Sequence, residues 1–166
     1  MLYMFVEGPD DERFFAYFFK EHPVNLKFIQ YANLLKERVN DFIKSIKSTP
    51  DCDYLFLGDG DGKTIDEKKE ILLQHYPELE DNNIYIIQFE IESWYYAGLS
   101  RENHKKLKLK KYEFDTNTLK KEQFNLKLPR ISDRIFIMGQ ILSLYSIDLA
   151  KRRNNSFCCF FETIFA

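Results

Sequence analysis

The stretch LYMFVEGPDDERFFAYFF, residues 2–19, predicts a buried β-strand that leads directly into an α-helix. Leu2 to Val6 is a continuous apolar run, which is typical of a strand covered on both faces. Pro9 suits the first turn of a helix, and the acids at 10–12 favour its positive end. The four phenylalanines that follow are spaced i, i+1, i+4 and i+5, as on the core-facing side of a helix.

The same alternation continues along the first part of the chain. Strands are predicted at Leu26–Tyr31, Tyr54–Leu57 and Ile84–Phe89, and helices at Asn33–Lys47 and Thr64–Tyr76. Strands that alternate with helices favour βαβ units and a parallel sheet. We therefore expect an α/β fold of the Rossmann-like type, with a mainly parallel four-stranded sheet flanked by helices.

Acidic side chains follow the predicted strands at their carboxyl ends. Glu7 follows the first strand, and Asp59 and Asp61 lie in the sequence GDGDG after the third. Right-handed crossovers bring these strand ends to one edge of the sheet, where open α/β sheets bind ligands. Mg²⁺ prefers oxygen ligands and usually takes one or two carboxylates together with water and phosphate. The sequence predicts a Mg²⁺ or Mn²⁺ site formed by Glu7, Asp59 and Asp61.

Two features of this prediction have simpler alternatives. The Asp-Gly-Asp-Gly run by itself is also typical of a solvated turn, so the metal site depends on its joint placement with Glu7. Glu90 and Glu92 follow the fourth predicted strand and are two residues apart. They are candidates for a second metal position, which would stabilise both oxygens of a displacement reaction. Alternatively, one of them caps the helix that begins near Ser93.

The sequence VEGPDDERFF at 6–15, followed by GDGD at 58–61, resembles the TOPRIM domain of topoisomerases, bacterial primases and OLD-family nucleases. That domain carries a Glu after its first strand and Asp-x-Asp after its third, and the resemblance spans about residues 1–98. It implies Mg²⁺-dependent phosphodiester chemistry, with Glu7 as general acid/base or metal ligand and both aspartates as metal ligands. The sequence FEIESW at 89–94 further resembles small stand-alone TOPRIM proteins akin to OLD nucleases.

The chain changes character at about Leu99 and becomes basic and helical. Residues 1–98 are predicted to form the TOPRIM-like core, and residues 99–166 a C-terminal helical extension packed on the same domain. Helices are predicted at Ser132–Tyr145, Asp148–Asn154 and Phe157–Phe165 from their apolar spacing.

Lysine and arginine clusters in this extension are candidates for contact with a phosphate backbone. Tyr112 and Phe114 lie beside the first cluster and could stack on bases, although a lysine run is also typical of a solvated surface. The candidate nucleic-acid-binding residues are Lys105, Lys106, Lys108, Lys151, Arg152 and Arg153.

Composition narrows the class of protein. The 166 residues are 45% hydrophobic, which is enough for a core, and the formal charge of −2 does not by itself indicate a nucleic-acid-binding protein. No apolar run approaches the roughly 18 residues that span a bilayer. Three cysteines form neither a disulfide framework nor a zinc motif. We expect a cytoplasmic protein without membrane contact, and leave a homo-oligomer open.

Two functions remain at this point. The first is a Mg²⁺-dependent nuclease, or a related phosphodiester-cleaving enzyme, that acts on DNA or RNA. The second is a non-catalytic TOPRIM scaffold that binds nucleic acid or a partner protein, such as a separately encoded ATPase. The presence of all three predicted acidic ligands, Glu7, Asp59 and Asp61, favours the first function, because a scaffold does not need carboxylates that repel one another.

Overall fold

The computed structural model describes residues 1–20, 24–130 and 132–165, which form two compact units. The first unit is Met1–Ile86 and the second is Ile87–Ala166. The change of character that the sequence places at about Leu99 lies inside the second unit. Among the described residues, no helix is both long enough and apolar enough to cross a membrane.

A four-stranded parallel sheet with flanking helices confirms the predicted fold class. Its elements are β1 (Leu2–Val6), α1 (Pro9–Phe18), β2 (Leu26–Gln30), α2 (Lys36–Lys47), β3 (Asp53–Asp59), α3 (Ile65–His75), a 3-10 turn (Asp81–Asn83) and β4 (Ile84–Ile87). The strand order is β2-β1-β3-β4. Because β1 lies between β2 and β3, the residues that follow β1 meet the ends of both neighbouring strands.

Parallel pairing fixes which residues of these strands lie side by side. Along β1, Leu2 pairs with Leu26 of β2 and with Asp53 of β3. The ladder to β2 runs as far as Val6, and the ladder to β3 is in register as far as Phe5. The three strands therefore end at the same edge of the sheet.

Buried side chains of the first unit explain the apolar strands. Phe5 is fully buried and stacks on Phe56 of β3, with ring centroids 5.6 Å apart. Val39 and Ile43 of α2 belong to the same core cluster. Burial of one such side chain contributes about 1.5–3 kcal/mol, so the packing of the inner strands β1 and β3 against α2 stabilises the sheet.

Helix ends in the first unit follow local side-chain chemistry. Thr64, where the third predicted helix begins, is the N-cap of α3: its hydroxyl accepts a hydrogen bond from the Glu67 backbone N–H at 3.2 Å. The Glu67 carboxylate in turn accepts from the Thr64 backbone N–H at 2.9 Å, which completes a capping box. Helix α2 begins later than predicted because Leu34 donates its backbone N–H to the Tyr31 carbonyl in a preceding turn.

The second unit is helical, and the three helices predicted toward its C-terminal end are confirmed with small shifts in their bounds. Its helices are α4 (Ile91–Ala97), α5 (Arg101–Lys106), α6 (Lys121–Lys127), α7 (Arg134–Ser143), α8 (Ile147–Arg153) and α9 (Asn155–Phe165). Trp94 is fully buried in this unit, and its indole N–H donates to the Ser156 hydroxyl at 2.9 Å. Phe157 packs edge-on against the Trp94 ring. This unit therefore has an apolar core of its own.

Candidate metal centre

Two of the predicted metal ligands lie at adjacent strand ends. Glu7 follows the last residue of β1 directly and is exposed, whereas Asp59 is the last residue of β3 and is partly buried. One oxygen of Asp59, Oδ1, is itself buried. Because β1 and β3 are parallel neighbours, both carboxylates belong to the same edge of the sheet.

Tyr31 lies within electrostatic range of both carboxylates. It follows β2 directly, and its buried hydroxyl donates to the Leu57 carbonyl at 2.9 Å. Burial raises the pKa of Tyr31 well above its ordinary value, and the negative charges of Glu7 and Asp59 raise it further. Since the effect of a charge weakens with distance, both carboxylates lie near the same hydroxyl. Sequence reasoning missed Tyr31, because a tyrosine at a strand end carries no distinctive motif.

Asp11 is a third carboxylate in this neighbourhood. It is buried in the first turn of α1, where its Oδ2 accepts a hydrogen bond from the Gly8 backbone N–H at 3.1 Å. Its charge also raises the pKa of Tyr31, after burial and the charges of Glu7 and Asp59. The sequence pattern predicted only a helix-dipole role for the acids of this turn. Its position three residues after Gly8 is the spacing of a capping box and could have identified the contact.

Asp61, the third predicted ligand, lies in a different environment. Its backbone has φ 53°, a left-handed conformation that turns the chain sharply after β3. Its side chain is 55% exposed, and its Oδ2 forms an ion pair with Nζ of Lys68 at 2.7 Å. The ammonium group of Lys68 is therefore paired with a carboxylate that the sequence predicts to be a metal ligand.

Glu7, Asp11 and Asp59, the three carboxylates whose charges act on Tyr31, are named the carboxylate cluster, and they offer the oxygen ligands that a hard cation prefers. Nearby carboxylates repel one another, and a divalent cation between them removes this cost. Within the described part of the chain, no group of three or more His, Cys, Asp or Glu side chains is gathered as a ready-made metal site. We therefore expect side-chain rotation at the cluster when an ion binds.

Glu90 and Glu92 belong to the second unit, where both have partners. The Glu90 carboxylate accepts the backbone N–H of Lys121 at 2.6 Å and so caps the start of α6. Glu92 is 2% exposed and forms an ion pair with Arg134 at 2.6 Å. Burial raises the pKa of Glu92, while Lys121 and Arg134 lower it. Their role as a second metal position stays a prediction, and it would require both carboxylates to leave these partners.

The first cluster of candidate nucleic-acid-binding residues lies at the surface. Lys105, Lys106 and Lys108 are exposed, at the end of α5 and just after it. Phe114 is 59% exposed, so its ring is accessible to a base, whereas Tyr112 is half-buried. Exposed cations and an exposed aromatic ring are side chains of the types that bind single-stranded nucleic acid, and contact of these residues with nucleic acid stays a prediction.

The second cluster divides into surface and buried residues. Lys151 is partly exposed and forms an ion pair with Glu162 at 3.3 Å. Arg152 is exposed, and its Nε donates to the Asp148 carbonyl within α8. Arg153, in contrast, is only 1% exposed. These neighbours in sequence therefore cannot be treated as one basic patch.

Arg153 is held by backbone carbonyl groups of the second unit. Its Nη1 donates to the carbonyls of Tyr96, Ala97 and Leu99, at 2.5–3.1 Å. Its Nε and Nη2 donate to the carbonyls of Phe114 and Glu113, at 2.7 and 2.5 Å. The guanidinium group thus ties the end of α4 to a distant loop. Contact of Arg153 with phosphate stays a prediction, and it would require these hydrogen bonds to break.

Compared with known proteins, the chain matches no family model, no curated protein and no solved structure. The resemblance to the TOPRIM domain stays a prediction.

The ion pair of Asp61 gives a prediction about metal affinity. If Asp61 is a metal ligand, Lys68 competes with the cation for it, so Lys68→Met should raise Mg²⁺ affinity about two- to fivefold, the range expected for a partly exposed ion pair. Isothermal titration calorimetry measures this change. Lys69→Met is the matched control, because Lys69 is the next residue and pairs with Asp81 at 3.1 Å instead. Equal affinities in both variants would contradict a metal role for Asp61.

Proposed function

We propose that this protein is a Mg²⁺- or Mn²⁺-dependent nuclease, or a related phosphodiester-cleaving enzyme, that acts on DNA or RNA. The observation that carries the proposal is the placement of Glu7 and Asp59 at the ends of two neighbouring parallel strands, β1 and β3. Carboxylates at this edge suit a hard cation that also contacts phosphate. The resemblance of residues 1–98 to the TOPRIM domain supports the same chemistry.

We assign a different role to each carboxylate of the first unit according to its burial and its hydrogen bonds. Asp59, with its buried Oδ1, is suited to hold a cation in a fixed position. Glu7 is exposed, so its carboxylate is suited to accept a proton from an attacking water. Asp11 holds the Gly8 backbone N–H and keeps the turn between β1 and α1 in place. When bound, the cation would supply Lewis-acid chemistry at the scissile phosphate.

The proposal assigns nucleic-acid contact to exposed cations of the second unit. Lys105, Lys106 and Lys108 are exposed to solvent, as is the ring of Phe114. Binding through such groups releases counterions and weakens as the salt concentration rises. The proposal also places the protein in the cytoplasm, in keeping with an odd number of cysteines that suits a reducing compartment.

A non-catalytic scaffold that binds nucleic acid or a partner protein, such as a separately encoded ATPase, is the second candidate. It is favoured by one observation: two predicted metal ligands already have cationic partners. Asp61 pairs with Lys68, and Glu92 pairs with Arg134. Carboxylates that are neutralised in this way stabilise a fold without any metal.

A cleavage assay separates the two candidates. The purified full chain is incubated with supercoiled DNA, linear duplex, single-stranded DNA and RNA, in Mg²⁺, in Mn²⁺ and in EDTA. We expect cleavage of at least one substrate with Mg²⁺ or Mn²⁺, its loss in EDTA, and its return when metal is restored. Binding without cleavage in both metals would favour the scaffold, and cleavage that persists in EDTA would contradict the metal-dependent mechanism.

A further inference from the structure

We propose that Tyr31 is a positioning residue, which sets the spacing between the strand ends that carry Glu7 and Asp59. This inference rests on the proposed function, because it assigns to Tyr31 a role in the same metal centre. Tyr31 would act through the two carboxylates and their strands, without contact with the substrate.

The hydrogen bonds of Tyr31 reach both strand ends. Its backbone N–H donates to the Val6 carbonyl at 2.9 Å, and Val6 directly precedes Glu7. Its hydroxyl donates to the Leu57 carbonyl at 2.9 Å, two residues before Asp59. Since β1 lies between β2 and β3, a single residue that follows β2 is hydrogen-bonded to backbone near the ends of both β1 and β3, the strands that position the two carboxylates.

Packing fixes the position of the Tyr31 side chain. Its ring is only 8% exposed and stacks on Phe56 of β3, with centroids 4.5 Å apart and planes 27° apart. Tyr76 meets the same ring edge-on, with centroids 6.2 Å apart. A tyrosine has two side-chain torsions, and packing on two sides restricts both of them. The hydroxyl is therefore held at a constant place relative to β3.

The charge state of the hydroxyl suits this position. Burial, followed by the charges of Glu7, Asp59 and Asp11, raises the pKa of Tyr31 well above its ordinary value. The ordinary pKa of a phenol, about 10, already keeps this group neutral at physiological pH, so it retains the proton that it donates to Leu57. A neutral group adds no further repulsion to the carboxylate cluster, while an acidic side chain at this place would.

Mg²⁺ is the cation most sensitive to such spacing. It requires near-octahedral geometry at about 2.0–2.1 Å, whereas Ca²⁺ accepts irregular geometry at about 2.3–2.6 Å. A small relaxation of the strand ends should therefore weaken Mg²⁺ binding more than Ca²⁺ binding. A general loss of stability would not change the ratio of the two affinities.

The test uses Tyr31→Phe in the full chain, which keeps the stacked ring and removes the hydroxyl. Tyr54→Phe is the matched control: Tyr54 is also buried in this core, and its hydroxyl accepts the Glu80 backbone N–H at 2.9 Å at the opposite end of β3. Mg²⁺ and Ca²⁺ affinities are measured by isothermal titration calorimetry, and thermal unfolding is followed in EDTA. We expect Tyr31→Phe to lose about tenfold in Mg²⁺ affinity and less than about threefold in Ca²⁺ affinity.

The control should lose stability in EDTA to a similar extent and keep both affinities. Equal Mg²⁺ affinities in Tyr31→Phe and Tyr54→Phe, or equal losses for Mg²⁺ and Ca²⁺, would overturn the positioning role. This readout does not require cleavage. If the unmodified protein binds Mg²⁺ but cleaves no substrate, the proposed enzyme activity fails while the role of Tyr31 is still decided by the affinities.

Discussion

Asp59→Asn is expected to reduce the rate of nucleic-acid cleavage about a thousandfold, because the cation would lose a charged ligand. A bound cation contributes several kcal/mol of transition-state stabilisation, and each 1.4 kcal/mol or so corresponds to about tenfold in rate. Glu7→Gln should reduce the rate by about 10²–10⁴-fold, the range typical of a general acid or base. Single-turnover cleavage at saturating Mg²⁺ measures both effects.

The free energy of unfolding should not fall in these two variants, although their cleavage rates do. Both substitutions replace a carboxylate by a neutral amide of the same shape, and so remove repulsion from the carboxylate cluster. In EDTA, the free energy of unfolding should therefore stay the same or rise, as measured by urea denaturation. A loss of activity without a loss of stability separates a catalytic role from a structural one.

Asp66→Asn is the matched control for this experiment. Asp66 lies in the first turn of α3 and is exposed, so the same change of charge occurs away from the strand ends. Its cleavage rate should stay within about twofold of the unmodified protein. If the double variant Glu7→Gln/Asp59→Asn still cleaves at the original rate, the proposed mechanism is wrong.

Arg153→Met is expected to destabilise the protein by more than about 4 kcal/mol. The reason is that it removes the guanidinium group, which donates hydrogen bonds to several backbone carbonyls. The substitution keeps much of the apolar stem but deletes the guanidinium, which donates to carbonyls at 96, 97, 99, 113 and 114. Each buried carbonyl that loses its hydrogen bond costs about 1–3 kcal/mol. Urea unfolding followed by circular dichroism measures the loss.

Two further variants make this prediction sharper. Arg153→Lys keeps the charge but offers three donors from one nitrogen in place of a planar fork, so it should recover only part of the stability. Arg152→Met removes an exposed neighbour and should change the free energy of unfolding by less than about 0.5 kcal/mol. Similar losses for Arg152→Met and Arg153→Met would show that the buried hydrogen bonds do not stabilise the second unit.

Local sequence patterns predicted most of the fold of the first unit. The run before Glu7 and the run before Asp59 are strands because continuous apolar residues suit a sheet covered on both faces. The predicted third helix began at Thr64, which caps α3 in the structure through hydrogen bonds with Glu67 that form within one turn. Alternation of strands and helices then favoured the parallel sheet, since crossover connections leave few other arrangements.

Pairings between distant residues could not be predicted from such patterns. The sequence placed Lys151, Arg152 and Arg153 in one basic group, but helical geometry turns Arg153 into the core and leaves Arg152 exposed. Glu92 is likewise buried against Arg134, a residue far away in the sequence. A charge pattern shows that a partner is required, but it does not identify the partner.

By itself, the sequence determined the elements, the parallel sheet and the position of Glu7 and Asp59 at strand ends, because these depend on residues that are close neighbours along the chain. Tertiary structure alone decided that Tyr31 reaches Leu57 across β1 and that Asp11 joins the same cluster. The physical reason is that hydrogen bonds and Coulomb interactions depend on distance in space. Residues that are far apart in the sequence come close together in space only when the chain folds.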